Sequence, residues 1–291
     1  MESENPQENL LALKKIEESS TKLQEQGNYL EALECMERGL VLRQHFFGPE
    51  SEEVWNSCKI LGEMCNALAM TYLEKNNVSV TLELLKKAEI LTERDPAGAT
   101  VTFNNLACYY RRQGKLRSAL QYLQKALKIE DRLGDAVRNP ADTYLNTCAV
   151  LSQLGRHQSA LEHAQSALIL LHEKNFKGAD IFNSDDRNGE NYRVPLDRVA
   201  VLSIAYYNIG TEQEFLKKVD VSIASYQKGL KIAQQYLGQD HTVTVTLRNA
   251  YKSASKSRKK GIPQDQKERY NAKDTIRRMK KNMKAKNKIR G

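Results

Sequence analysis

Residues 114–127 read GKLRSALQYLQKAL, and residues 155–168 read GRHQSALEHAQSAL. In both stretches a glycine is followed by a small residue five positions later, a packing residue nine later and a second small residue twelve later. Residues 27–40, GNYLEALECMERGL, repeat this frame, and residues 76–88 and 217–229 fit it without the glycine. Self-similarity of this kind predicts a chain built of stacked supersecondary units.

Another helical pattern precedes four of these stretches. We call this preceding pattern the first helix of a pair and the stretch quoted above the second helix. The small residues of the first helices, Ala69, Ala107, Cys148 and Gly210, each stand nineteen positions before the second small residue of the following stretch. Apolar residues at helical spacing surround them, which indicates one buried face per helix. The sequence therefore predicts pairs of antiparallel helices that approach closely where the small residues lie.

These patterns resemble the tetratricopeptide repeat, and residues 96–134 match it best. The matching residues there are Phe103, Leu106, Ala107, Tyr110, Ala119, Leu123 and Ala126. The resemblance implies an all-α, right-handed superhelical solenoid of about five helical hairpins with a capping helix. The expected repeats are about 8–45, 54–94, 96–134, 140–173 and 195–238, with a cap at 241–256, together forming a solenoid over 8–256.

Long second helices that end in Leu-Gly, as at Leu133-Gly134 and Leu237-Gly238, are similar to the repeats of kinesin light chains. That resemblance implies a cytoskeletal or ciliary setting. Three segments lie outside the repeats: an acidic end at 1–7, a polar insertion at 174–194, and a basic tail at 257–291 that is expected to be disordered or to become helical on binding.

Asparagine recurs one or two positions after the aromatic or equivalent residue of the first helices, where side chains are expected to line the groove of the superhelix. An asparagine amide both donates and accepts, so a row of them can pair with the backbone of an extended partner peptide; the alternative is that each bonds only to its own local backbone. The predicted groove residues are Asn66, Asn104, Asn105, Asn146 and Asn208, with Tyr109, Arg111, Arg112 and Tyr207 beside them.

The net charge of +9 divides unevenly along the chain. From Lys252 to Gly291 there are 16 Lys+Arg against 3 Asp+Glu, which gives +13, and the rest of the chain carries −4. Such a tail is typical of contact with an anionic surface. The expected contacts are Arg258, Lys259, Lys260, Arg277, Arg278, Lys280, Lys281, Lys284, Lys286, Lys288 and Arg290.

Four interpretations of the tail remain open: a solvated end, docking on the acidic microtubule surface, a nuclear signal or RNA contact, and binding to a membrane surface or a calmodulin-like partner. Only Tyr270 interleaves aromatic character with the cations, which weighs against single-strand nucleic-acid binding. We expect a cytoplasmic protein, at the cytoskeleton or cilium, with the nucleus as the alternative.

No phosphate-binding loop, dinucleotide fingerprint, zinc-protease or nucleophile-elbow motif occurs in the chain. We therefore expect a non-enzymatic adaptor without cofactor, metal or small-molecule substrate. No apolar run is long enough to span a membrane, and the polar start is unlike a signal peptide. The five cysteines are expected to be reduced thiols packed as small hydrophobes.

Overall fold

A computed structural model describes residues 6–134, 139–175 and 195–261, and every regular element in those ranges is an α-helix. The all-α prediction is confirmed. The helices are α1 Pro6–Glu25, α2 Tyr29–Phe47, α3 Glu52–Glu74, α4 Val78–Leu91, α5 Pro96–Arg112, α6 Leu116–Leu133, α7 Pro140–Gln153, α8 His157–Asn175, α9 Leu196–Phe215, α10 Val219–Tyr236 and α11 Thr242–Gly261. None of these helices is both long enough and apolar enough to cross a lipid bilayer.

The chain divides into two compact units, unit 1 up to Arg156 and unit 2 from His157. In unit 1, apolar side chains of α2 to α5 form one core, which includes Leu61, Leu85 and Leu106. A second cluster joins α5, α6 and α7 around Leu123. In unit 2, Tyr226 belongs to a core formed with α11.

Small residues stand where paired helices cross. In unit 1, Ala69, Ala88, Ala107 and Ala126 are buried completely or nearly so. In unit 2, a Cβ at Gly210 would lie 2.6 Å from the Tyr226 ring, closer than two carbons can approach. The small side chains therefore set the spacing of these helices, because any larger group would force them apart.

The turn inside each hairpin has the same backbone conformation whichever residue occupies it. Gly27, Gly114 and Gly155 have φ values of 79°, 71° and 72°. Asn76 and Lys217, which stand at the same place in the frame, have φ values of 59° and 62°. Glycine takes this left-handed conformation without steric cost, whereas lysine does not. The fold therefore imposes the turn even where the sequence does not favour it.

The helices differ in how their first and last residues are capped. Pro96 and Pro140 open α5 and α7, where a missing N–H costs nothing, although the Asp95 side chain does not cap α5. The Ser51 hydroxyl does cap α3, accepting from the Val54 N–H at 3.3 Å. Helix α11 runs to Gly261, past residue 256 where the sequence places the end of the cap, because no helix breaker precedes that glycine.

Candidate partner-binding face

The predicted asparagine row of unit 1 lies on its first helices α3, α5 and α7, and we call the side of these helices that carries the row the first-helix face. Most of the amides on this face bond to one another or to threonine across neighbouring repeats. Asn66 is only 5% exposed, whereas Asn104, Asn105 and Asn146 are half-buried. Burial of this degree requires hydrogen-bond partners, and the structure supplies them.

Between α3 and α5, Asn66 connects two residues of the next repeat. Its Nδ2 donates to the Thr102 hydroxyl at 2.9 Å, and its Oδ1 accepts from Asn105 Nδ2 at 2.9 Å. The same Nδ2 also donates to the Gly62 carbonyl one turn back in its own helix. The Asn66 amide is therefore occupied on both sides.

Between α5 and α7 the same pair of contacts recurs one repeat later. Asn104 Nδ2 donates to the Thr143 hydroxyl at 2.7 Å, and Asn104 Oδ1 accepts from Asn146 Nδ2 at 3.1 Å. We call the six residues of these two junctions the asparagine ladder; they are Asn66, Thr102, Asn104, Asn105, Thr143 and Asn146. Since the geometry repeats at both junctions, the ladder holds successive first helices in register.

The ladder is anchored in the second helices. Thr102 lies 3.3 Å, hydroxyl to hydroxyl, from Thr92 at the end of α4, and Thr143 donates to Oε1 of the buried Glu130 at 2.5 Å. Thr92 and Glu130 each stand four residues after the second small residue of their repeat. Thr102, Thr143 and Glu130 are not predicted from the sequence; the only signal that could have found them is this recurrence at equivalent repeat positions.

Two acceptor atoms of the row remain free for a ligand. Asn105 and Asn146 donate into the ladder, but their Oδ1 atoms accept no hydrogen bond from any residue that the structure describes. Each is therefore able to accept one backbone N–H of a partner. The two residues stand on neighbouring first helices, α5 and α7, and their role in peptide binding stays a prediction.

The aromatic and basic residues predicted to lie beside the asparagine row differ in their exposure to solvent. Tyr109 is 6% exposed, packs edge-on against Tyr110 at 5.2 Å between ring centroids, and has a phenol pKa raised mainly by burial. Arg111 is half-buried and Arg112 exposed, with its guanidinium donating to Asn76 Oδ1 at 2.5 Å. The two arginines, rather than Tyr109, are the side chains that a ligand on this face can reach.

In unit 2, the predicted groove residues are Asn208 and Tyr207. Asn208 is half-buried and makes no hydrogen bond with the described residues around it. Tyr207 is also half-buried, and its ring centroid lies 5.9 Å from that of Tyr226. Neither side chain is part of a hydrogen-bonded ladder among the described residues.

The structure covers little of the predicted anionic-surface site. Arg258 is described, and its Nε lies 2.8 Å from Asp220 Oδ1, which ties the end of α11 to the start of α10. The side chains of Lys259 and Lys260 are outside the described residues. So are Arg277, Arg278, Lys280, Lys281, Lys284, Lys286, Lys288 and Arg290.

All five cysteines are free thiols, and Cys35, Cys65 and Cys148 are buried. Burial raises the pKa of Cys65 to about 12 and also raises the pKa of Cys58 and Cys108 above the ordinary thiol value. A thiol in this state is a poor nucleophile and a poor metal ligand. No cluster of three or more metal-binding side chains occurs in the ranges that the structure describes.

Comparison with known proteins agrees with this geometry. Profiles of the tetratricopeptide repeat match residues 99–173 and 204–236. The chain carries tetratricopeptide repeats, and its fold is the tetratricopeptide-repeat fold. Such repeats form protein–protein interaction scaffolds that are typically non-catalytic. None of the curated proteins matches this sequence.

Several solved structures are similar to this chain at low sequence identity. BtubC (BKLC) from P. vanneervenii is 20% identical, with a TM-score of 0.57 over 91% of this chain and 92% of its own. A tetratricopeptide-repeat sensor protein of the STAND ATPase class from Pyrococcus horikoshii is 17% identical, with a TM-score of 0.50 over 90% of this chain and 35% of its own. A putative kinesin light chain repeat protein from Podosopora anserina is 13% identical with a TM-score of 0.47, covering 77% of this chain and 95% of its own.

Proposed function

We propose that the first-helix face of unit 1 binds an extended segment of a partner protein, and that this chain is an adaptor. The observation that carries the proposal is the pair of free Oδ1 atoms on Asn105 and Asn146, held by the asparagine ladder on adjacent repeats. Because each side chain is fixed through its own Nδ2, little conformational entropy is lost when a ligand N–H reaches the oxygen.

Arginine further along the same helix supplies the preference for partner side chains. Arg112 lies seven residues after Asn105, and therefore two turns further along the same face of α5, with Arg111 beside it. A guanidinium at this distance favours a segment with an acidic side chain near the backbone that the asparagines hold. The proposed ligand is thus an extended peptide with at least one Asp or Glu.

The probe is a peptide selected for binding to the full chain from a displayed library of random peptides. The test compares the affinity of this peptide for the parent chain and for the Asn105→Ala/Asn146→Ala double variant. Loss of two single acceptors should weaken binding by about 1–3 kcal/mol in total. Asn249→Ala, at an exposed asparagine of α11, is the matched control and should bind as the parent does. Thermal melting separates lost binding from lost folding, and unchanged affinity in a folded double variant would refute the proposal.

For the tail we propose a separate role, tethering the adaptor to an acidic surface, with the microtubule as the favoured surface and a cytoplasmic, cytoskeletal or ciliary location. The charge of +13 from Lys252 to Gly291 supports it, as does the resemblance of the long repeats to kinesin light chains. The alternative is a nuclear or RNA-associated adaptor that uses the same cations.

Deleting residues 262–291 is the cleanest test, because it leaves α11 and the Arg258–Asp220 pair intact. Under the microtubule proposal, co-sedimentation requires this segment and disappears when the acidic tubulin tails are removed. Under the alternative, RNA binding requires the segment and tubulin digestion has no effect. If deletion changes neither kind of binding, the tethering proposal fails and the first-helix face remains to be judged by its own test.

A further inference from the structure

Unit 1 has an apolar cleft at the edge where the α2–α3 connection, the start of α3 and the end of α4 meet. Its volume is about 530 Å³. Trp55 and Ile90 stand at its mouth with 47% and 75% of their surface exposed, and Leu91 and Cys58 lie behind them. Large apolar side chains with this much exposure in one concave place are typical of an interaction site.

One ring face of Trp55 is already covered by a cation. The Arg94 guanidinium lies 5.6 Å from the centroid of the ring, and Glu50 holds that guanidinium through a two-pronged ion pair, with Nη2 to Oε1 at 2.8 Å. The paired arginine in turn lowers the pKa of the exposed Glu50 carboxyl. Guanidinium over tryptophan is a favourable cation–π arrangement, so the walls of the cleft suit cationic side chains as well as apolar ones.

The rim of the cleft carries unneutralised negative charge. Exposed Glu93 lines the cleft, and exposed Glu52 and Glu53 stand three and two residues before Trp55 in α3. None of the three forms an ion pair with a residue that the structure describes. With Arg94 paired to Glu50, the one other cation that lines the cleft is Lys59. Exposed carboxylates around an apolar centre attract a cationic ligand and repel nucleic acid or an anionic membrane surface.

From this arrangement we infer that the cleft docks a segment of a partner protein in which a bulky apolar side chain is flanked by Lys or Arg. The apolar side chain enters between Trp55 and Ile90, and the flanking cations meet Glu52, Glu53 and Glu93. The chemistry is opposite to that proposed for the first-helix face, whose arginines favour acidic segments. The chain thereby offers two partner sites of opposite charge preference, and the second does not depend on the first.

Trp55 makes the inference directly measurable, because it is the only tryptophan in the 291 residues. The probe is the peptide acetyl-Lys-Arg-Leu-Leu-Arg-Lys-amide, titrated into the full chain up to about 1 mM while the intrinsic emission is recorded, which detects dissociation constants in the weak range for a short segment. Two control peptides keep the length, one with Glu and Asp replacing the cations and one with Ala replacing both leucines.

The expected result is a saturable change in emission with the cationic leucine peptide and binding that is weaker by about tenfold or more with either control peptide. Binding should fall steeply towards about 1 M salt, where the screening length shrinks to roughly 3 Å. A peptide series in which charge reversal leaves binding unchanged overturns the inference, as does absence of any response to the cationic leucine peptide.

Two variants locate the site, and calorimetry with the same peptide avoids reliance on Trp55 alone. Ile90→Ser removes exposed apolar surface and should raise the dissociation constant about tenfold, and Glu93→Lys should raise it by a similar factor at low salt. Ile169→Ser is the matched control, an exposed isoleucine of α8 with 57% of its surface accessible, and should bind as the parent does. Equal binding by all four proteins would place the peptide elsewhere and overturn the inference.

Discussion

Replacing Asn66 by alanine should destabilise unit 1 even though no ligand is present. The change deletes two hydrogen bonds between repeats, from Asn66 Nδ2 to the Thr102 hydroxyl and from Asn105 Nδ2 to Asn66 Oδ1. It also removes the bond to Gly62 within the same helix. If Asn66 were an exposed ligand contact, none of these losses would occur in the free protein.

The magnitude follows from the two cross-repeat bonds. At about 0.5–1.5 kcal/mol each, their loss costs about 1–3 kcal/mol, and leaving Asn105 Nδ2 without its acceptor places the cost in the upper part of that range. Alanine is a better helix former than asparagine by up to roughly 0.7 kcal/mol, which offsets part of the cost. The net expectation is a loss of about 1–2 kcal/mol in the free energy of unfolding.

Urea denaturation followed by Trp55 emission measures this loss within unit 1, because Trp55 and Asn66 share helix α3. With a slope near 2 kcal/mol per molar urea, the midpoint should drop by about 0.5–1 M at unchanged slope. Asn56→Ala is the matched control: Asn56 is exposed on the same helix and makes no hydrogen bond with the described residues. If the two variants unfold at the same urea concentration, the ladder contributes nothing and the reasoning is refuted.

Lys217→Gly should stabilise unit 2 by roughly 0.5–1 kcal/mol, since the left-handed penalty at a φ of 62° exceeds the extra backbone freedom of unfolded glycine. The opposite substitution at the equivalent turn, Gly114→Lys, should lower the melting temperature of unit 1. Burial lowers the pKa of His172 below its ordinary value, so the unfolded chain binds more protons and stability should be lost as the pH falls through about 6.5. Melting curves between about pH 8 and pH 5.5 should show this loss, and His172→Gln should flatten the curve. Because burial raises the pKa of Cys65 to about 12, iodoacetamide at neutral pH should leave this thiol unmodified until urea unfolds unit 1, and mass spectrometry of a digest that finds it alkylated in the folded protein would contradict its placement.

The helix pairs could be predicted from the sequence because the small residues that permit close packing recur at fixed intervals. Ala88 and Ala126 stand at equivalent places, and both are fully buried. The left-handed turn at Lys217 could be inferred only by aligning it with Gly114 and Gly155, since lysine itself gives no indication of that conformation.

The candidate site was harder to predict, because an asparagine on a first helix gives the same sequence pattern whether it faces a ligand or a neighbouring repeat. The difference lies in which residue stands opposite it, namely Thr102 for Asn66 and Thr143 for Asn104. Those partners are 36 and 39 residues away in the chain. Periodicity alone does not reveal such pairs, since it shows which residue types recur along the chain and not which side chains are in contact.

The asparagine ladder also bears on how the array could have grown. Towards the repeat before it, helix α5 presents an acceptor, the Thr102 hydroxyl, and a donor, Asn105 Nδ2. Towards the repeat after it, Asn104 both donates through Nδ2 and accepts through Oδ1. A tandem duplication of residues 96–134 would therefore create a new junction with both hydrogen bonds already encoded. In α7 the place of Asn104 is taken by Leu145, so a copy of that repeat would end the series. Among the three repeats that the ladder joins, the third is the one whose duplication would keep both hydrogen bonds at the new junction, because the second and fourth repeats each carry one side of a junction only.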